Sequence, residues 1–205
     1  MSRADVGADA PAPMVTWPEM HGWQSAGMHD AVFRAISANG VTAYVRAEDG
    51  SGPLLRLLEA DPAVPAPRLL DRRAGWLLLE ALPGAPLHDP RWLARPADAA
   101  PIISEALQCL ARSGITHGDM CLPNILGDLE TGELSGIVDW HYAGQFDREI
   151  DFASAIWSCG YNGYPPDVPD AVLRSLGWPR RDAAEVERLG RLWIELAGPP
   201  DTAGR

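Results

Sequence analysis

The sequence predicts an α+β protein of two lobes, a small antiparallel β-rich lobe over residues 15–82 and a helical lobe over residues 83–198. Three observations carry that expectation. Short strand-like runs separated by turn residues fill the first part of the chain. After Pro83-Gly84 the apolar residues recur at helical spacing. Between the helices a polar loop, His117 to Asn124, leads into what reads as a second hairpin.

Each element follows from local chemistry. Residues 1–14 are rich in Ala, Pro and Asp and are expected to form a disordered leader. Ala31 to Ser37 and Val41 to Arg46 are strand candidates around Asn39-Gly40, a strong hairpin signal. Leu54 to Leu58 has room for a brief helical turn at most. Pro62, Pro65 and Pro67 then force an extended passage. Leu69-Leu70 and Trp76 to Leu79 read as two more strands. In the second lobe, Ile103, Ala106, Leu107 and Leu110 keep helical spacing after Pro101, and Gly114 marks the stop. Asp147 to Ser158 carries Ile150, Ala153, Ile156 and Trp157 on one face. Asp182 caps a last helix with Val186, Leu189, Trp193 and Leu196 inward. Residues 199–205 are expected as a tail.

The composition narrows the function. At 205 residues the chain is long enough to bury a full core. A net charge of −11 argues against a nucleic-acid partner, whose phosphates demand basic surface, and either steers a cationic small molecule inward or only maintains solubility. All 17 basic residues are arginine, so wherever a cation is needed it is a guanidinium. Cys109, Cys121 and Cys159 are an odd number without a C-x-x-C pair, as expected of free thiols in a reducing cytoplasm. No apolar run reaches the length of a membrane span and no signal peptide is evident, so a cytoplasmic location is expected.

The polar loop is the most informative stretch. His117-Gly118-Asp119-Met120-Cys121-Leu122-Pro123-Asn124 spaces Asp119 and Asn124 five apart, and Asp139 ends the apolar run Gly136-Ile137-Val138. Protein-kinase catalytic loops use the same Asp-x-x-x-x-Asn interval, followed by a second metal-binding Asp. Asn124 to Leu126 and Ser135 to Val138 read as antiparallel strands, so the start of the first lies beside the end of the second. That brings Asn124, Asp139 and Asp119 to one edge. Two carboxylates about 4 Å apart repel by roughly 4 kcal/mol at an effective dielectric near 20, which a divalent cation removes. Oxygen-only ligands favour Mg²⁺. Asp119 is then placed to accept or orient a hydroxyl proton. His117 is expected to brace backbone. Asp151 either accepts loop N–H groups or is a solvated helix charge. By letter alone, His117, Asp119 and His141 also fit a two-histidine, one-carboxylate iron site, which leaves Asn124 and Asp139 without a role.

On these residues the chain resembles the aminoglycoside phosphotransferase family, which has a protein-kinase-like fold. The matching stretches are Thr116 to Leu126, Gly136 to Trp140 and Asp147 to Ala153, with weaker matches at Asp30 to Arg34, Val64 to Pro67 and Trp76 to Glu80. The resemblance implies a two-lobe kinase-like fold and transfer of phosphate from ATP or GTP, with Mg²⁺, to a hydroxyl of a small molecule. It implies that Asp119 is catalytic and that Asn124 and Asp139 are the metal ligands. His117 and Asp151 support the loop. The Glu80 carbonyl and Leu82 N–H hold the nucleobase, and the loop Ser25 to Asp30, with Ser25 and Gly27, covers the phosphates. His141 and Tyr142, which follow Asp139, either face the acceptor or pack locally. Three departures stand out. Arg46 occupies the place of the family's strand lysine. Gly50 to Asp61 is too short for the helix whose glutamate positions that lysine. Only Ala85 to Thr116 separates the hinge from the loop, so the helical lobe is reduced. A nucleotide-binding module without transfer activity is the alternative that these departures suggest. A lobe so reduced has apolar surface to cover, by a homodimer through Trp178 and Trp193 or by core packing of the two.

Overall fold

The computed structural model describes residues 12–25, 32–61, 63–179 and 182–197. Gly27, Asp30, most of the expected leader and the tail lie outside the described residues. The chain divides into two compact units, Met1–Pro62 with Ala66–Leu82, and Ala63–Pro65 with Pro83–Arg205. Ala63–Pro65, expected in the first lobe, group with the second. The reason is local: the Ile137 N–H donates to the Pro65 carbonyl at 2.8 Å.

In the first unit, a single helical turn, α1 (Pro13–Thr16), precedes β1 (Met20–Ser25), β2 (Val32–Ser37), β3 (Thr42–Ala47), α2 (Gly52–Leu58), β4 (Leu69–Arg73) and β5 (Trp76–Glu80). α1 corrects the expected leader: Pro13 is buried, and Trp17 just after it joins the core. The strands form one antiparallel sheet in the order β1-β2-β3-β5-β4. Gly40 takes φ +83° in the β2–β3 turn, the conformation for which Asn-Gly is suited. β1 gave no signal in the sequence because it is an edge strand whose burial does not alternate. Alternate residues elsewhere bury Ala35, Ala43, Val45, Trp76 and Leu78 with Trp17 and Met20, and Phe33 meets Trp76 edge-on at 6.0 Å. α2 is a seven-residue helix, longer than the brief turn expected, because Pro53 fits its first turn and Leu55 and Leu58 bury one face.

The second unit begins with β6 (Ala85–Pro86), α3 (Pro90–Leu93) and α4 (Pro96–Ser113). α4 starts well before Pro101, which lies inside it. Burial of Ala99 and Ala100 outweighs the one hydrogen bond that Pro101 cannot donate. Gly114 closes α4 in the left-handed conformation (φ +70°), as its position predicts. β7 (Ile125–Gly127) and β8 (Leu134–Ile137) complete a three-stranded sheet in the order β6-β7-β8. Gly127 is required by packing. A Cβ there would lie 2.7 Å from a Trp92 ring carbon and 2.9 Å from Ile102 Cδ1.

α5 (Glu149–Tyr161), α6 (Asp167–Ser175) and α7 (Ala183–Ala197) follow. α6 was not foreseen. Asp182 accepts the Glu185 N–H at 2.9 Å, the expected cap of α7. Leu189 and Trp193 of α7 turn inward as expected, but Leu196 is exposed and Val186 only half-buried. Trp193 lies 6.5 Å from Trp157, and Trp178 packs on Phe152 at 4.6 Å while donating to Glu185. Both tryptophans make packing contacts within the chain. Among the described residues no helix is long and apolar enough to cross a membrane.

Candidate active site

The site is built on a loop held against a buried helix. Nearly every residue of α5 from Ile150 to Cys159 is buried, yet Asp151, Ser154 and Ser158 are polar. Their spacing of three and four places them in one stripe. The Asp151 carboxylate accepts the N–H of His117 (3.0 Å) and of Gly118 (2.7 Å). The Ser154 hydroxyl accepts the Met120 N–H at 2.8 Å, and the Ser158 hydroxyl accepts that of Leu122 at 2.9 Å. The Asp119 N–H goes to His117 Nδ1 (3.3 Å), and the Cys121 N–H approaches Asp119 Oδ1 (3.4 Å). Every N–H from His117 to Leu122 is therefore accounted for, as buried backbone demands.

His117 is fully buried and its ring is fixed at both nitrogens. Nε2 lies 2.9 Å from the Val138 carbonyl, which only accepts, so Nε2 carries the proton and Nδ1 is the acceptor. Burial holds its pKa below the ordinary histidine value, which keeps the ring neutral. The same cause pushes Asp151 up to about 6, against the two N–H bonds that favour its carboxylate. Burial, with the Asp119 charge beside it, raises the Cys121 thiol well above its usual range, so that thiol is neutral.

Asn124 ends a 3₁₀ turn just before β7, and its carbonyl accepts the Val138 N–H at 2.9 Å. Asp139 is the next residue after Val138, so the hairpin brings the two chain positions to one edge. The Asn124 side chain donates through Nδ2 to the Asp119 carbonyl at 2.9 Å, which ties the third residue to the same edge. With Nδ2 committed, the amide oxygen has no hydrogen-bond partner among the described residues. Asp139 adopts left-handed φ/ψ (69°, 60°), an uncommon backbone state for a residue other than glycine. Its Oδ1 lies 2.9 Å from His141 Nδ1. Gly118 (φ +84°) is needed where the loop passes Tyr142, since a Cβ would fall 2.6 Å from the Tyr142 carbonyl oxygen.

The remaining expected positions are placed as follows. His141 and Tyr142 lie in a 3₁₀ turn with ring centroids 3.6 Å apart, both half-buried. Arg46, in β3 opposite Leu77, is ion-paired with Asp49. Asp49 is itself held by the Ser51 N–H (3.0 Å) and hydroxyl (2.6 Å). Ser25 is exposed at the end of β1. Glu80 ends β5 with its side chain bidentate to Arg68 at 2.9 and 3.0 Å, and Leu82 follows, half-buried. The iron alternative fails on geometry: both ring nitrogens of His117 are committed to backbone. Among the described residues no three His, Cys, Asp or Glu side chains are grouped to hold a metal. Sequence reasoning missed Ser154, Ser158 and Asp49. Two serines at helical spacing in an otherwise buried helix were the available signal.

Comparison with known proteins fixes the family. The model of the phosphotransferase enzyme family, abbreviated APH, matches residues 54–187, well over half of the chain, and the chain belongs to that family. A probable aminoglycoside 3'-phosphotransferase of Lactococcus lactis subsp. lactis (strain IL1403) is 34% identical over 80 residues, which span 39% of this chain and 29% of that relative. Among solved structures, the aminoglycoside-3'-phosphotransferase of type VIII superposes with a TM-score of 0.65 at 21% identity, covering 87% of this chain and 94% of the other. The GDP and kanamycin complex of APH(2")-IIia gives a TM-score of 0.63 at 14% identity, covering 88% and 86%. These likenesses establish the kinase-like fold.

Proposed function

We propose that this chain transfers the γ-phosphoryl group of ATP or GTP to a hydroxyl of a small molecule, an antibiotic or similar natural product with cationic character. The observation that carries the reading is the tethering of Asn124 to the Asp119 carbonyl beside Asp139. Asp119 orients the acceptor hydroxyl and takes its proton as the oxygen attacks phosphorus. The donors suit Mg²⁺: the Asn124 amide oxygen and the Asp139 carboxylate are hard oxygen groups that would hold the ion. Bound there, the ion offsets charge on the phosphates.

Other residues bind and orient. Arg46 grips phosphate in place of a lysine, and Asp49, locked by Ser51, sets the direction of its planar fork. The Glu80 carbonyl and Leu82 N–H take the nucleobase, and Ser25 and Gly27 belong to the loop over the phosphates. His117 and Asp151 hold the loop rather than react. His141 and Tyr142 lie toward the acceptor. A groove of about 430 Å³ lined in part by Gln145, Phe146, Asp147, Glu149 and Leu192 offers the Asp147 carboxylate to a cationic ligand, Glu149 being ion-paired with Arg188. Aminoglycoside acceptors, as in the names of the relatives above, are the first candidates.

The test is a screen of amino-sugar and other hydroxyl acceptors with γ-labelled ATP and GTP, with Asp119→Asn as control. Label should reach an acceptor with the parent protein and fall by about a thousandfold in the variant, the scale set by loss of a positioned base and its orientation. Nucleotide binding without label transfer to any acceptor, and without hydrolysis, would favour the binding module instead.

A further inference from the structure

We propose that Ser154 and Ser158 are positioning residues of the phosphoryl-transfer loop, holding Asp119 and Asn124 in place through the N–H groups of Met120 and Leu122. This rests on the function proposed above and extends it to two residues that touch no substrate. The loop from Gly118 to Leu122 runs alongside α5, in the same direction, and its N–H groups at 118, 120 and 122 meet Asp151, Ser154 and Ser158 in turn. Amides two residues apart on the loop meet side chains about one helical turn apart on α5, at three successive points. Side chains of a helix thus replace the neighbouring strand that an extended segment normally needs.

The pattern places Asp119 between two anchored amides, and Pro123, with its fixed φ, carries the constraint from Leu122 to Asn124. Both hydroxyls are aimed. Ser154 Oγ–H donates to the Asp151 carbonyl at 3.2 Å, which leaves a lone pair for Met120. Ser158 Oγ accepts from Asn162 Nδ2 at 3.0 Å as well as from Leu122. Met120 and Leu122 are both fully buried, so water cannot take over either bond. Loss of an acceptor leaves a buried N–H without a partner, and the loop must shift to satisfy it.

The experiment compares Ser154→Ala, Ser158→Ala and, as a control on the same helix, Ala155→Gly. Transfer kinetics and amide hydrogen exchange are measured for each. Either serine variant should lower kcat by about 10- to 100-fold, the effect of a displacement near 1 Å at the reacting groups, with KM for nucleotide changed less than about threefold. Exchange should accelerate at the Met120 or Leu122 amide specifically. Ala155→Gly should lower the melting temperature while kcat of the folded protein stays within about twofold. Serine variants with unchanged kcat, or a control that loses kcat as they do, overturn the proposal. If the parent transfers no phosphate, the functional reading fails separately. Exchange then decides the anchoring: acceleration confined to these amides supports it, and unchanged rates overturn it.

Discussion

At the scale of single residues, a few side chains were readable because their chemistry has few alternative uses. Asp119, Asn124 and Asp139 stood out by spacing, and the hairpin brings their positions together as the strand argument required. Asp49 was not readable, since an acid three residues after an arginine is commonplace until its partner and Ser51 are seen. Ser154 and Ser158 were equally silent, because a helix serine is neutral by propensity. Asp151 permits a test with a definite sign. Its pKa of about 6 lies above the unfolded value near 4, so between those values the folded state holds a proton that the unfolded state has lost. Its contribution to stability is therefore full below about pH 4 and declines as pH rises through 6, by about 3 kcal/mol in all. Denaturant melts at pH 4 and pH 7 should show the stability of the parent relative to Asp151→Asn falling by about that amount as pH rises, the other carboxylates being common to both proteins. Arg46→Ala should weaken nucleotide binding about tenfold or more through loss of a charge-assisted contact. Titration calorimetry checks this, and unchanged affinity would remove Arg46 from the phosphate site.

At the scale of elements, the sequence located six of the eight strands and the three longest helices of the described chain, while α1, α3, α6, β1 and β6 went unpredicted. β1 is an edge strand without alternation, and α6, for which no element was expected, follows Pro165-Pro166. α4 extends through Pro101 because the buried alanines before it favour helix. Gly127 gives a test of packing between elements. Ala at this position drives a methyl into Trp92 and Ile102, and the expected cost is about 1–3 kcal/mol. Thermal denaturation would report it, and an unshifted melting temperature would mean that β7 moves freely away from α3 and α4.

At the scale of the whole molecule, the order of a β-rich unit followed by a helical one was legible, while the grouping of Ala63–Pro65 with the second unit depends on one backbone bond to Ile137. Family membership supports the proposed reaction class, and the net charge of −11 is consistent with the cationic acceptor proposed above. In the proposed reaction Asp119 acts on an oxygen nucleophile beside a nucleotide held through Asn124 and Asp139. Its most direct test needs no acceptor: Mg²⁺-dependent release of phosphate from ATP or GTP, with water as nucleophile, in the parent and in Asp119→Asn. We expect slow hydrolysis by the parent that stops when Mg²⁺ is chelated and is lost in the variant. Equal rates in the two proteins, with the nucleotide bound, would contradict the role given to Asp119.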